Sequence, residues 1–343
     1  MQASIVKPKA LRPGDTIGVF TPSAPSYTSN DELFTNGLEA LKKQGFKIKL
    51  GSLTEKRNSQ GYRSGTPEER AKEFMALIQD PEVRCLISTI GGNNSASMIP
   101  HLDFARIRQE RKIICGFSDV TSLHLAILKY SGLVTVYGPS VMCWFGDWEG
   151  ISESTDWWLE AVMKHQQGSR VVVSPARWSN HLRRWDNGDW KNIPREWKTN
   201  EGWTVLNPGR VEAPVLAVNL NTLMTAAGTS YWPDLRGKVL LIEDMYAPLS
   251  RTERLLQHLK LVGGLDQIGG LIVGKPENYD QEGAPFGYDE LIKEVVGPRK
   301  YPIVSNFDCS HTVPMISIPQ MTPVRLTAEG QTAQFEFLDG SVE

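Results

Sequence analysis

Short apolar runs alternate with stretches of helical periodicity through the first 140 residues. Residues 16–20 read as an apolar strand, after which Phe34, Leu38 and Leu41 recur on one helical face. Ser29-x-x-Glu32 forms a capping box ahead of that helix and Gly45 ends it. Thr66-Pro67-x-Glu69 opens another helix, with proline at the favoured first position. A strand over 85–89 runs into the loop Gly91-Gly92-Asn93-Asn94-Ser95. Ile113 to Cys115 read as a strand buried on both faces, Gly116 breaks it, and Val120, Leu123, Ala126, Ile127 and Tyr130 then recur at helical spacing. A further strand is expected over 134–137. Repeated β-α-β units predict an α/β fold whose parallel sheet carries functional loops at its strand C-terminal ends. The glycine pair and Ser118 both fall at such ends, which makes them candidate neighbours in space.

The periodicity fails in the middle of the chain. Nine of the ten tryptophans lie between Trp144 and Trp203, and 178–203 mixes them with Arg183, Arg184, Lys191, Arg195 and Lys198. This stretch is either a long connection whose indoles pack over a domain junction, or a substrate loop whose indoles stack on a flat ring while its cations meet an anion. From Val211 the pattern returns. A strand over 239–242 ends in Glu243-Asp244, and a helix near 252–261, a strand at 270–274 and a helix around 288–296 follow. A strand at 303–304 leads into the polar turn Asn306–Thr312, and 324–327 with 333–337 read as a closing hairpin. The 343 residues exceed what one core usually supports. We expect a nucleophile-bearing domain over 1–170, a tryptophan-rich connection and substrate loop over 171–207, and a smaller α/β domain over 208–343.

Composition narrows the partners. A formal net charge of -2 gives no global attraction to nucleic acid or to an anionic membrane, and no apolar run approaches the ~20 residues that span a bilayer. The first residues lack the apolar core of a signal peptide. Four cysteines without Cys-x-x-Cys spacing suggest reduced thiols in the cytoplasm. The six histidines are scattered with no i, i+4 pair, so no metal site is expected.

Candidate chemistry centres on Ser118, on a tight strand-to-helix turn that reads as a nucleophile elbow. Val120 stands where G-x-S-x-G would have its second glycine, and Ser118 as a plain helix N-cap is the competing reading. A serine nucleophile needs a base. His124 faces away from the elbow by register; His101, His165, His181 and His258 sit in helical or surface contexts; His311 lies in a polar turn after a strand. Glu243 ends an apolar strand, where a carboxylate needs a partner, although it or Asp244 also suits the cap of the next helix. The N–H groups of Gly91 or Gly92, completed by that of Asp119, form a candidate oxyanion hole. A phosphate loop is the rival reading of the glycine pair.

Ordered segments along the chain resemble the LD-carboxypeptidase family of serine peptidases. They are Pro13-Gly14-Asp15-Thr16-Ile17, Tyr62-Arg63-Ser64-Gly65-Thr66 before the helix bearing Arg70, Gly91-Gly92, Gly116-Phe117-Ser118-Asp119, Tyr137-Gly138-Pro139, Asn219-Leu220-Asn221-Thr222-Leu223, Ile242-Glu243-Asp244 and Ser310-His311-Thr312-x-Pro314. The resemblance implies a Rossmann-like, glutamine-amidotransferase-like N-terminal domain, a cleft active site between two domains, a homodimer and no cofactor. It places the family's serine, glutamate and histidine on Ser118, Glu243 and His311. Muropeptide enzymes of the family carry Arg-Gly-Gly-Tyr-Gly at the glycine loop. This chain has Ile90-Gly91-Gly92-Asn93-Asn94-Ser95 and is more similar to the microcin C self-immunity branch, which shows Ile-Gly-Gly-Asp-Asn-Ser. That branch cleaves the bond joining a peptidyl or aminoacyl aspartate to a modified adenylate, and one of its tryptophans stacks on the adenine. The likeness implies substrate contacts at Asn93 (where the branch has aspartate), at Trp185 as the best match for the stacking residue, with Trp190 or Trp197 as alternatives, and at Asn219. A muropeptide carboxypeptidase is the alternative of the same chemistry. A non-hydrolytic nucleotide-binding protein is the alternative of another class, and it would need acidic metal-holding groups that the chain does not cluster.

Overall fold

Two sheets, the first mainly parallel and the second mixed, build a computed structural model that describes residues 3–28, 30–147, 152–163, 168–181, 183–277 and 279–343. The first sheet runs in the order Lys47–Leu50, Thr16–Phe20, Val83–Ser88, Ile113–Gly116, Val136–Tyr137, with all five strands parallel. Its strands are apolar on both faces because both are covered. Val19, Ile87 and Cys115 pack with Phe34 and Leu41 of helix Asp31–Lys43. Phe20, Leu86 and Ile114 pack with Phe74 of helix Pro67–Gln79 and Leu123 of helix Thr121–Ser131. The helix start at Thr66 with Pro67 in its first turn forms as read from the sequence, and Thr66 and Glu69 also make a capping box there. The first helix instead has Asn30 at its N-cap, and Ser29 lies outside the described residues.

The second sheet has eight strands. Gly209–Asn219, Val239–Glu243, Gly270–Gly274 and Ile303–Phe307 are parallel, and antiparallel strands flank them on either side. The C-terminal hairpin Pro323–Glu329 with Thr332–Phe337 is therefore part of the sheet, paired to Gly209–Asn219. Two strands come from the expected connection or its borders: Arg170–Val172 on one edge and Thr204–Asn207 on the other. The tryptophan-rich stretch is thus stitched into the second sheet at both ends. Backbone pairing supplies a regularity there that side-chain periodicity does not reveal.

The two halves interlock. Ile318–Pro319 crosses back to pair antiparallel with Val136–Tyr137, closing the first sheet with a strand too short to be read from the sequence. Leu125 and Leu128 of the helix after Ser118 join the core formed by helices Leu249–Leu261 and Tyr288–Val296. Phe117 and Tyr137 join the opposite core with Val215, Leu241 and Phe307. The Asn219 N–H donates to Thr121 Oγ1 at 3.0 Å, tying the C-terminal end of a second-sheet strand to the helix after Ser118.

Candidate active site

Strand Ile113–Gly116 ends one residue short of Phe117, and Ser118 then opens a 3-10 turn that becomes helix Thr121–Ser131. Ser118 has φ +59°, the left-handed region that serine rarely adopts. Such strain, roughly 1–3 kcal/mol, persists where surrounding packing enforces it. Gly116 is the enabling residue. A Cβ there would lie 2.8 Å from Ser88 Oγ and 2.9 Å from Val120 Cγ1, so Val120 occupies the volume a side chain at 116 would need. The missing second glycine of the elbow pattern is thereby accommodated.

The glycine loop sits against this turn. A Cβ on Gly91 would lie 3.3 Å from Ser118 Oγ and 3.4 Å from the Asp119 nitrogen. Gly92 has φ +146°, and a Cβ there would collide with Ser23 Oγ at 2.3 Å. Among the described residues, no acceptor engages the N–H of Gly91 or Gly92. The Asp119 carboxylate fastens the loop to the elbow by accepting the N–H groups of Asn94 at 3.0 Å and Ser95 at 2.9 Å. The Asn93 N–H is held by Ser23 Oγ at 3.0 Å. The Gly91 backbone thus lies beside both the Ser118 hydroxyl and the Asp119 nitrogen, which keeps these amides candidates for receiving negative charge that develops on a carbonyl oxygen.

Glu243 and His311 approach from the second sheet. Glu243 is fully buried, and its Oε2 accepts from His311 Nδ1 at 2.5 Å. Its Oε1 accepts from Tyr137 Oη at 2.6 Å and from Asn219 Nδ2 at 3.0 Å. Both partners follow from register: Asn219 lies opposite Glu243, and Tyr137 lies opposite Gly116 in the first sheet. Tyr137 Oη also accepts the Ser118 N–H at 3.0 Å, so one phenol links the elbow to the acid. Burial alone would push the Glu243 carboxyl up, but the His311 charge and the three hydrogen bonds outweigh it and hold it below the usual range. Burial would likewise lower His311, and the negative charges of Glu243, Glu277 and Asp244 raise it instead.

His311 and Ser118 both line one cavity of about 690 Å³, although no hydrogen bond joins their side chains. The Phe117 ring packs against His311 with centroids 4.9 Å apart. The same cavity is lined by Trp185, Trp190, Arg183, Arg184 and Arg195. Arg183 and Arg195 share Asp147, with Arg183 at 2.7 Å from it. A single space therefore combines a serine, a carboxylate-oriented histidine and free amides with an aromatic, cationic lining. Its volume suits a ligand of drug size.

Family models agree with this architecture. Residues 17–138 match the LD-carboxypeptidase N-terminal domain and residues 212–326 the LD-carboxypeptidase C-terminal domain. The chain belongs to the LD-carboxypeptidase family. As a member it is a serine peptidase, a hydrolase that acts on amide bonds. It is 37% identical over 311 residues to the microcin C7 self-immunity protein MccF of Escherichia coli, covering 90% of this chain and 89% of that one. It is 22% identical over 292 residues to the murein tetrapeptide carboxypeptidase of Pseudomonas aeruginosa, covering 84% of this chain and 86% of the other. The structure of MccF in complex with aspartyl sulfamoyl adenosine superposes with a TM-score of 0.91 at 33% identity, over 98% of this chain and 99% of that one.

Within this LD-carboxypeptidase fold, Ser118, Gly91, Gly92, Asp119, Glu243 and His311 come together as the sequence suggested. Trp185, Trp190 and Asn93 line the same cavity, whereas Trp197 lies outside it beneath the Arg177 guanidinium at 4.0 Å. Asn219 also borders the cavity, but its amide is committed: Nδ2 to Glu243 and Asp244, Oδ1 to the N–H of Thr222. Of the five cations in the tryptophan stretch, Lys191 pairs with Glu32 and Lys198 with Asn180, leaving the three arginines at the cavity. His124 is buried on the Gly116 carbonyl, and burial pushes it down to about 4. His181 lines the cavity rim rather than plain surface, and His165 lies outside the described residues. Tyr137 is the residue that sequence reasoning missed as a site member. Its signal was available, because a tyrosine in a buried strand needs a partner for its hydroxyl.

Proposed function

We propose that this chain hydrolyses the amide between an acyl group, peptidyl or aminoacyl and ending in aspartate or glutamate, and a modified adenylate. It thereby disarms microcin C-like antibiotics, as self-immunity or detoxification. The observation that carries this reading is the shared cavity, lined by Ser118 and His311 together with Trp185, Trp190 and three arginines of the tryptophan stretch. A murein peptide has no planar base to meet that aromatic lining. The likeness to MccF, whose structures hold aspartyl sulfamoyl adenosine and glutamyl sulfamoyl guanosine, supports the same substrate class.

In the proposed mechanism His311 Nε2 takes the proton of Ser118, and Oγ attacks the substrate carbonyl. The amides of Gly91 or Gly92 and Asp119 receive the developing oxyanion. Glu243 keeps the Nδ1 proton on His311 and stabilises the imidazolium. His311 then protonates the leaving nitrogen, and water releases the acyl group from the serine. No cofactor enters this scheme. Trp185 or Trp190 stacks on the base, with Asn93 and Asn219 bordering the acyl end. Cysteines without disulfides and the family resemblance support a cytoplasmic homodimer with a nucleophile domain over 1–170, a substrate connection over 171–207 and an acid- and base-bearing domain over 208–343.

The deciding experiment compares aspartyl-sulfamoyl-adenosine with an L,D-tetrapeptide from murein, read by mass spectrometry. Cleavage of the adenosine compound supports the proposal; release of D-alanine alone moves the protein to cell-wall recycling. Trp185→Ala should raise KM for the adenosine compound about 10–100-fold, the worth of one lost base–aromatic stack, with a smaller change in kcat. An unchanged KM would assign the stacking to Trp190 instead.

The pH profile follows from the His311 environment. His311 must be neutral to accept the serine proton, and its value is raised, so activity is lost as pH falls through a point above 6.5, the ordinary histidine value. The acid limb of kcat/KM is therefore expected above pH 6.5. Asp244 is pushed up to about 7 by burial and also titrates there; in Asp244→Asn a single acid limb should remain, moved toward lower pH because the Asp244 charge no longer raises His311. A limb below 6.5 in the native enzyme would mean that Glu243 does not govern His311.

A further inference from the structure

The mechanism uses one of three carboxylates that surround His311. Glu243 closes its strand, Asp244 follows it, and Glu277 comes three residues beyond strand Gly270–Gly274. All three stand at the C-terminal ends of adjacent parallel strands. Asp244 has a counter-charge in Arg251 at 3.3 Å. Glu277 has no Lys or Arg partner among the described residues; only the His311 charge and the Tyr246 N–H favour its ionised form. It is 5% exposed, its Oε2 has no hydrogen-bond partner, and it lines the same cavity as Ser118 and His311. Its backbone is fixed, because its carbonyl accepts the Ala247 N–H at 3.1 Å from the loop after Glu243. Burial pushes its carboxyl above the usual range, a cost that an arriving cation would relieve.

A buried acceptor left unsatisfied is expensive, and native folds seldom keep one without a ligand or a functional reason. The group that would satisfy this one donates hydrogen bonds, carries positive charge and reaches the acyl end of the cavity beside His311. The arginines that line the cavity are held by other carboxylates: Arg183 and Arg195 by Asp147, Arg184 by Asp186 and Arg251 by Asp244.

We propose that Glu277 is a specificity residue that binds the free α-ammonium of an aminoacyl substrate. The assignment rests on the substrate reading above and deepens it. An α-amino group sits one carbon from the scissile carbonyl, so a carbonyl placed between Ser118 and the glycine amides brings its ammonium to the carboxylate end of the cavity. The site then favours aminoacyl nucleotides with an unblocked amine over N-acylated or peptidyl forms. Asp244 and its partner Arg251 form the polar border of this pocket and keep a second negative charge from standing alone beside Glu277.

The test measures kcat/KM of the full chain for aspartyl-sulfamoyl-adenosine and for its N-acetyl derivative, in the native enzyme and in Glu277→Gln. The native enzyme is expected to prefer the free amine at least tenfold, and the variant to lose that preference by roughly 10–100-fold, mostly through KM, as for a lost hydrogen bond to a charged group. Glu277→Asp, which keeps the charge, should retain part of it. If Glu277→Gln fails to fold, the native enzyme's preference decides alone. Equal cleavage of both compounds by the native enzyme, or equal loss on both in a folded variant, overturns the assignment and leaves the substrate reading standing. Release of D-alanine from a murein tetrapeptide with both adenosine compounds left intact overturns the substrate reading and this assignment together.

Discussion

Ser118→Ala should lower kcat about a millionfold on the adenosine conjugate, the scale seen when a triad nucleophile is removed, with substrate binding retained. The loss is large because serine, base and acid act as one unit, so removing any one idles the others. Mass spectrometry of the conjugate over hours would resolve it, with thermal melts confirming that the fold survives. The backbone at 118 offers an independent check. Its φ of +59° is strained for any residue with a Cβ. Ser118→Gly should thus be as inactive as Ser118→Ala yet more stable by roughly 1 kcal/mol, because glycine adopts that conformation without penalty. Turnover within tenfold of native in either variant would place the nucleophile elsewhere. Equal melting temperatures would mean that the elbow is relaxed rather than held.

How much of this was readable beforehand follows a physical line. Elements whose identity depends on local pattern were legible: the strand Thr16–Phe20, the helix start at Thr66-Pro67, the strand Val239–Glu243 and the helix Tyr288–Val296. The strand–Gly116–Ser118–helix transition was legible too, since a change of period brackets the turn. Features made by long-range pairing were not. Strand Ile318–Pro319 is two residues long and exists only because it pairs with Val136–Tyr137 across the domains. Strands Arg170–Val172 and Thr204–Asn207 recruit the tryptophan stretch into a sheet that its own pattern does not announce.

The site divides in the same way. Ser118, Glu243 and His311 each carry a local signal, a turn or a strand end, that singles out the residue. The partners that hold them do not. Tyr137 reaches Glu243 only through the side-by-side placement of two sheets, and Glu277 looks like any loop glutamate until its burial is known. Asn219, expected from the resemblance as a substrate contact, caps a helix through its Oδ1 while its Nδ2 supports the acid. Sequence identifies groups that do chemistry more readily than groups that fix their geometry, because the latter are defined by distance in space.

That distinction matters most at Glu243, where Glu243→Gln should lower kcat about 10⁴-fold, as carboxylate-to-amide changes do in other serine triads. The reason is tautomer rather than charge alone. Two donors, Tyr137 Oη and Asn219 Nδ2, converge on Oε1 and oblige that position to remain an oxygen. In the variant the amide nitrogen must then take the Oε2 position against His311 Nδ1. It donates there, moves the imidazole proton to Nε2, and leaves no lone pair to accept the Ser118 proton. Tyr137→Phe should be milder, about tenfold, because it removes one donor without reversing the polarity at His311. The pair of results separates two roles: a deep loss in Glu243→Gln beside a shallow one in Tyr137→Phe identifies Glu243 as the group that sets the histidine tautomer. Comparable losses in both would instead mean that Glu243 matters only as a packed anchor for the His311 turn, and the base would have to be oriented by another carboxylate at the same strand ends, Asp244 or Glu277.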